Sequence, residues 1–134
     1  MVSDTVCIRL KKGADIRAEI EKAAADNGIR CGAILSIVGC VSSARLRCAD
    51  GKTVVDITEP CEIVSATGTV SEKRCHVHIS LAKSDLSVIG GHLAYGCTVN
   101  TTCELMINKV SGWRIAEEFD ENTGYNEAVF VRER

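Results

Sequence analysis

The chain has 134 residues and a formal net charge of −2, with 46% hydrophobic and 25% charged residues. This balance is typical of a globular protein and excludes an intrinsically disordered chain. A chain of this length buries roughly two-thirds of the surface that its unfolded form exposes, so it needs no metal ion or disulfide merely to fold.

The first third of the chain predicts a strand, a helix and a long apolar strand. Residues 5–10 alternate between apolar and polar side chains, as a half-buried strand does. A helix is predicted from Gly13 to about Asn27, with Asp15 capping its start. Residues 33–38 form a near-continuous apolar run, which is typical of a strand covered on both faces. Gly39 interrupts this run and indicates a bulge or a close approach of another backbone.

Strand-like segments dominate the rest of the chain. The pair Asp50 and Gly51 predicts a hairpin turn. The further predicted strands are residues 41–48, 54–57, 61–70, 75–81, 97–107, 113–119 and 127–131. One long helix among many strands predicts an α+β fold, with a mostly antiparallel β-sheet and one main helix packed on it. Because no linker, repeat or low-complexity stretch divides the chain, we predict a single domain over residues 1–134.

Eight cysteines are spread along the chain, and no two of them form a C-x-x-C pair. Structural zinc sites built from cysteine need such close pairs, so that type of site is excluded. The N-terminal residues lack the basic start and apolar core of a secretion signal, and no window approaches the roughly 20 apolar residues of a membrane span. We therefore expect a cytoplasmic location without disulfides, and we interpret the cysteines as small buried hydrophobic residues.

All three histidines lie in one short span, at positions 76, 78 and 92. Residues two apart on a strand point to the same face, so His76 and His78 are predicted to project together. His92 follows a predicted turn at residues 84–85, and the spacing leaves room for a return strand beside the first. Imidazole is the commonest protein metal ligand, and three histidines with one open position resemble an exchangeable or catalytic zinc site. A pair of surface histidines, or histidines satisfied within the core, is the alternative.

The segment HVHISLAKSDLSVIGGHLAYGCTVNTTCELMI resembles the core of the plant-and-prokaryote-conserved (PPC) domain. That family carries H-x-H-x-x-L, then G-G-H-L, then a strand that bears a glutamate, here Glu104. The segments RLKKGADI, AILSIVGCV, CEIVSATGTV and DENTGYNEAVF agree as well. The resemblance therefore covers nearly the whole chain.

This resemblance implies a homotrimer with sites near the subunit interfaces, where a small-molecule ligand could bind. It also implies that His76, His78 and His92 hold a metal ion, for which Zn²⁺ is expected because three neutral nitrogens suit it. Plant members of the family join the domain to an AT-hook, a basic arm that enters the minor groove of DNA. No R-G-R-P-like arm occurs in this sequence.

Three functions remain open at this point. The first is a metal-binding homotrimer with a binding or regulatory role, in which the ion could simply hold the assembly together. The second is a zinc-dependent enzyme of the hydrolase or lyase type, because zinc can lower the pKa of a bound water to about 7. A carboxylate would then act as general base, and Glu104 is the candidate catalytic residue, ahead of Glu62 and Asp85.

DNA binding is the third function. A sequence pI of about 5.9 argues against a single copy that grips DNA through its phosphates. Three copies could still combine the small basic clusters at residues 45–47 and 73–74 into one basic surface.

Overall fold

The computed structural model describes residues 4–134, and these form nine strands and one helix. Most of the chain lies in antiparallel β-structure, which confirms the predicted α+β class with a mostly antiparallel sheet. The elements in chain order are β1 (Thr5–Lys11), α1 (Ile16–Asp26), β2 (Gly32–Arg47), β3 (Val54–Ile57), β4 (Cys61–Ser71), β5 (Arg74–Ala82), β6 (Val88–Leu93), β7 (Thr98–Lys109), β8 (Trp113–Asp120) and β9 (Tyr125–Arg132). That residues 1–134 make one domain stays a prediction.

Seven strands form one sheet in the order β1-β7-β2-β4-β5-β6, with β3 paired to β2, while β8 and β9 form a separate hairpin. The end of β2 also pairs with β6, where Leu46 lies opposite Leu93 and Arg47 lies opposite His92. Strands β2, β4, β5 and β6 therefore close into a ring. This closure brings the end of β2 next to β6.

Helix α1 begins at the predicted cap. An Asp15 carboxylate oxygen accepts a hydrogen bond from the Ala18 backbone N–H at 3.0 Å, which satisfies one of the unpaired donors of the first turn. One stripe of the helix is buried and belongs to the same hydrophobic core as the inward side chains of the sheet. Its members are Ile16, Ile20, Ala23 and Ala24.

Strand β2 agrees with its prediction at Gly39 but differs in its length and in its coverage. It runs through Gly39 as one strand rather than two, and a register shift between Gly39 and Val41 confirms the predicted bulge. A side chain at Gly39 would collide with the carbonyl oxygen of Thr102, so the predicted close backbone approach is confirmed. The strand is not covered on both faces within one chain, because Leu35 is 61% and Val38 is 50% exposed. An apolar run cannot tell which of its residues the chain itself covers.

All eight cysteines are free thiols, which is consistent with a chain that does not rely on disulfides. Five of them are buried as predicted, whereas Cys7 and Cys48 are exposed and Cys40 is intermediate. The buried ones are Cys31, Cys61, Cys75, Cys97 and Cys103. Over residues 4–134, the only helix is too short and too polar to cross a membrane.

Candidate metal centre

Strand β5 places two histidines on one face. Its alternation buries Cys75, Val77 and Ile79 in the core and leaves His76 and His78 on the exposed side. The cause is the two-residue period of a strand, in which burial of one set of side chains forces the other set outward. The predicted common face of the histidine pair is therefore confirmed.

Strand β6 brings the third histidine beside this pair. His92 lies directly opposite His78 in the β5–β6 register, and such positions hold their Cβ atoms about 4.5–5.5 Å apart. The two glycines before His92 permit the close packing of this strand. A Cβ at Gly90 would lie 2.8 Å from the Ile79 carbonyl oxygen, and one at Gly91 would lie 2.9 Å from that of Arg47. Any side chain at either glycine would push β6 away from its neighbours.

The three imidazoles form one cluster. Ring centroids lie 5.1 Å apart for His76 and His78, 5.6 Å for His76 and His92, and 5.5 Å for His78 and His92. One nitrogen from each ring lies within 4.8 Å of the others. A tetrahedral zinc ion with Zn–N bonds of about 2.1 Å holds its nitrogens about 3.4 Å apart. Small rotations of the rings would therefore bring all three nitrogens to one ion.

The surroundings keep two of these rings neutral. Burial, followed by the nearby Arg47 guanidinium, lowers the pKa of His92 to about 4. Burial, followed by the neighbouring His78, also lowers the pKa of His76. Neutral imidazole is the form that binds a metal ion. The Nδ1 atom of His92 is buried without a hydrogen-bond partner in the described part of the chain, and its lone pair could coordinate a bound ion instead. The donor set and this unpaired atom therefore fit a metal ligand site.

The cluster forms one wall of a cavity of about 600 Å³, which we call the histidine cavity. Hydroxyl groups of Ser65, Thr67 and Ser80 line other parts of it. Among its described lining residues, Arg47 is the only one with a permanent charge. Three nitrogen ligands facing such a cavity leave room for a further ligand on an ion.

A second cavity of about 470 Å³ adjoins the first and shares Arg47, His76 and His92 with it. The hairpin of β8 and β9 contributes Glu117 and Glu127 to its wall. This second cavity, called here the hairpin cavity, carries charges of both signs. The hairpin thus lies close to the histidines although it is the last part of the chain.

The candidate carboxylates lie elsewhere in the chain. Glu104 is exposed on β7, opposite Arg9 on one side and Val38 on the other. Strand β7 is three strand positions from β5, which is about 14 Å at the usual spacing. Glu62 on β4 and Asp85 in the β5–β6 turn also lie outside the described lining of both cavities. A role for Glu104 as general base stays a prediction and requires a contribution from another chain.

Sequence reasoning missed Arg47 as a site residue, because it grouped Arg47 with Arg45 in a basic cluster. In the structure the two differ: Arg45 pairs with Asp56 at 2.7 Å, whereas Arg47 lies beside His92. The only local signal was that both arginines alternate with buried neighbours on the same strand. The approach of Arg47 to His92 depends on the β2–β6 pairing, which joins residues far apart in the sequence.

Comparison with known sequences agrees with the resemblance seen in the motifs. The profile of the Plants and Prokaryotes Conserved (PCC) domain matches residues 2–111. Over 120 residues, or 90% of this chain, the sequence is 33% identical to the Bifunctional protein GlmU of Synechococcus sp. (strain JA-3-3Ab). The chain spans only 19% of the length of that relative. The matched region of the profile ends before the β8–β9 hairpin.

Three solved structures share the fold. A hypothetical protein from Salmonella cholerae-suis (Salmonella enterica) has a TM-score of 0.93 at 24% identity, covering 98% of this chain and 95% of its own. A proposed DNA-binding protein from Bacteroides thetaiotaomicron has a TM-score of 0.86 at 25% identity, covering 97% and 94%. A metal-containing protein from Archaeoglobus fulgidus has a TM-score of 0.79 at 32% identity, covering 96% and 95%.

Proposed function

The chain belongs to the Plants and Prokaryotes Conserved domain family, and from this premise we propose that it is a metal-binding protein with a binding or regulatory role. The metal ligands are His76, His78 and His92. The observation that carries this proposal is the approach of one nitrogen from each ring to within 4.8 Å of the others. The metal-containing protein from Archaeoglobus fulgidus, at 32% identity over nearly the whole chain, supports it.

Zinc is the proposed ion. Three neutral nitrogens suit zinc, which also needs no redox partner. A closed structural zinc site uses four protein ligands, whereas three ligands leave a position for an exogenous molecule. The histidine cavity of about 600 Å³ gives such a molecule access. The proposed role is therefore the binding of a ligand at the open position of the ion.

The proposed assembly is a homotrimer. Its support is an apolar face on β2, β4 and β7 that one chain leaves open, called here the apolar face. Large apolar side chains exposed on neighbouring strands are typical of protein interfaces. The face consists of Leu35, Val38, Val64 and Met106, which are 61%, 50%, 55% and 41% exposed. A ligand at the subunit interface and a catalytic role for Glu104, which lies opposite Val38, both depend on this assembly.

A zinc-dependent enzyme of the hydrolase or lyase type is the second candidate. The observation that favours it is the open side of the histidine cluster, which faces a cavity with hydroxyl groups in its wall. A zinc ion would supply Lewis-acid chemistry there. Within one chain no carboxylate belongs to the described lining of the histidine cavity, so a general base would have to come from elsewhere. This difference ranks the enzyme below the binding protein.

DNA binding has weaker support in this chain. The Bacteroides thetaiotaomicron neighbour is described as a proposed DNA-binding protein. Here, however, Arg45 pairs with Asp56 at 2.7 Å and Arg74 pairs with Glu117 at 2.9 Å. Each basic cluster thereby loses part of the positive charge that phosphate contacts require. The cytoplasm is the proposed location, which the eight free thiols support.

Titration of the metal-free protein with Co²⁺ tests the proposal, because cobalt takes the ligands of zinc and absorbs visible light according to its coordination. We expect saturation at about one cobalt per chain, with the intense bands of four-coordinate cobalt bound by nitrogen and oxygen. His76→Ala should lose these bands. Cys48→Ala, which alters a thiol in the same cavity wall, should keep them. Sulfur-to-cobalt charge-transfer bands, or no bands at all, would contradict the three-histidine site.

A further inference from the structure

Arg47 lies beside the histidine cluster without a partner of its own. It is opposite His92 in the β2–β6 register and lines both cavities. Its Nε atom is buried and unpaired, and its guanidinium makes no hydrogen bond or ion pair with residues 4–134. A desolvated charged donor without an acceptor is costly, so this position suits a ligand that supplies the acceptor.

The neighbouring arginines differ, because the chain gives each of them at least one acceptor, although the Nε atom of Arg74 is also buried and unpaired. Arg17 pairs with Glu21 at 3.1 Å, where it forms one side of the hairpin cavity. Arg74 pairs with Glu117 at 2.9 Å and also donates to the Asn126 carbonyl oxygen at 3.1 Å. The chain thus supplies an acceptor to each of these guanidinium groups but not to that of Arg47.

The charges of the hairpin cavity are balanced, whereas the charge of Arg47 in the histidine cavity is not. In the hairpin cavity, four basic residues are matched by four acidic ones. The basic residues are Arg17, Arg47, Lys73 and Arg74, and the acidic ones are Glu21, Asp50, Glu117 and Glu127. In the histidine cavity Arg47 has no acidic counterpart among the described lining residues. A divalent ion on three neutral imidazoles would add two positive charges there, and an anion would offset the repulsion between ion and arginine.

We propose that the histidine cavity binds a small molecule through a carboxylate group that lies between the metal ion and Arg47. The proposal rests on the metal site proposed above and names the class of ligand for its open position. A carboxylate matches one guanidinium, because its two coplanar oxygens accept two parallel N–H bonds and carry one negative charge. A phosphate group carries more charge and more acceptor oxygens than one arginine satisfies.

The rest of the cavity agrees with a small polar ligand. Its volume of about 600 Å³ lies within the range of small-molecule sites. Ser65 and Ser80 place hydroxyl oxygens 3.4 Å apart on neighbouring strands, where they can donate to or accept from a polar substituent. The ligand class is therefore a small carboxylic acid with further hydrogen-bonding groups.

The cobalt-loaded protein provides the test. Acetate and, separately, inorganic phosphate are titrated into it, and binding is followed by the visible cobalt spectrum and by calorimetry. We expect acetate to change the spectrum of the wild type, and Arg47→Gln to weaken acetate binding at least tenfold while cobalt uptake is retained. Arg45→Gln is the matched control, since it removes an exposed arginine two residues away on the same strand and should bind acetate as the wild type does.

Each outcome decides one point. Unchanged acetate affinity in cobalt-loaded Arg47→Gln would overturn the carboxylate site, and so would tighter binding of phosphate than of acetate. If the wild type takes up no cobalt, the proposed metal function itself fails and the carboxylate site fails with it. Should Arg47→Gln lose its far-UV circular dichroism, Arg47→Lys replaces it. That variant keeps the charge but lacks the planar fork, so we expect severalfold weaker binding, and equal binding would contradict the proposal.

Discussion

His92 is the least solvent-exposed of the three histidines. Burial is the main cause of its pKa of about 4, and the charge of Arg47 is the second. A ring that is already neutral loses no proton when it binds a metal ion. Metal binding at neutral pH therefore has no deprotonation cost at this ligand. The same arginine repels a divalent ion. An anion bound between the ion and Arg47 would offset this repulsion, while the neutral His92 ring stays available as a ligand.

Because some of its thiols are buried, the protein should lose stability at alkaline pH. Burial raises the pKa of Cys75 and of Cys103 from 9.0 to about 11. Below pH 9 these thiols are protonated in both the folded and the unfolded chain, so their contribution to stability is complete. Between pH 9 and 11 the unfolded chain releases these protons while the folded chain keeps them. The free energy of unfolding should therefore fall as pH rises through this window.

Urea denaturation at pH 8 and at pH 10 measures this effect. We expect the decrease between the two pH values to be smaller in the double variant Cys75→Ala and Cys103→Ala than in the wild type. Cys7→Ala removes an exposed thiol and should leave the decrease unchanged. A double variant that loses as much stability with pH as the wild type would contradict this account of the buried thiols.

At the scale of elements, β2 positions the site, because it pairs with β3, β4, β6 and β7. Its 16 residues are long enough to contact β4 first and β6 at the end. Register shifts along its pairing with β7 mark bulges, which bend and twist a strand. The bend lets the ring of strands close and places Arg47 beside His92.

Gly39 is the most sensitive point of this element. A side chain there would meet the backbone of β7 at Thr102, which cannot move without disturbing the sheet. We expect Gly39→Ala to lower the free energy of unfolding by about 3 kcal/mol. Gly28→Ala is the control, because Gly28 also has a positive φ of 57° but has nothing within 4 Å of an added Cβ. That change should cost about 1 kcal/mol, and equal losses in urea denaturation would contradict the role of Gly39.

Local patterns predicted the parts of the fold that depend on local chemistry. The Asp15 cap, the helix and the face shared by His76 and His78 follow from spacing that one element imposes on its own residues. Strand β6 was predicted only as a return strand beside β5, because Gly90 and Gly91 break its apolar alternation. The closure between β2 and β6 was not predicted, since pairing between distant segments leaves no local period.

The same reason explains the site residues that the sequence did not reveal. Glu127 enters the hairpin cavity because the β8–β9 hairpin returns to the sheet, where Arg74 bonds both Glu117 and the Asn126 carbonyl oxygen. These contacts join residues more than 40 positions apart. A glutamate in a strand cannot be assigned to a cavity until the partner strand is known. Glu104 illustrates the converse, since its place in a family motif did not bring it to the histidines of its own chain.

At the scale of the whole molecule, the apolar face is the feature that one chain leaves incomplete. Val38 and its neighbours on β4 and β7 expose apolar area on one side of the sheet, where a second copy can cover it. Burial of this face would also shield Glu104, which lies opposite Val38, from part of the solvent. A role for Glu104 therefore depends on contacts with another chain in the assembly.

Val38→Glu tests the assembly directly. We expect the wild type to sediment at about 43 kDa, three times the 14.4 kDa of one chain, and the variant to sediment as a monomer, because a buried carboxylate is costly. Leu86→Glu, at a turn residue that is 82% exposed, is the control and should keep the wild-type mass. A monomeric wild type, or an unchanged mass for Val38→Glu, would refute the proposed interface.

The metal content of the purified protein shows whether the three histidines form a metal centre. The protein is prepared without a histidine tag, supplied with zinc and freed of excess ion, and bound metal per chain is measured for the wild type and for His78→Ala. We predict about one zinc ion per chain in the wild type and its loss in the variant, because His78 contributes one of three ligands in the cluster. A wild type without bound metal, or a variant that keeps its full content, would contradict a metal centre built from the three histidines.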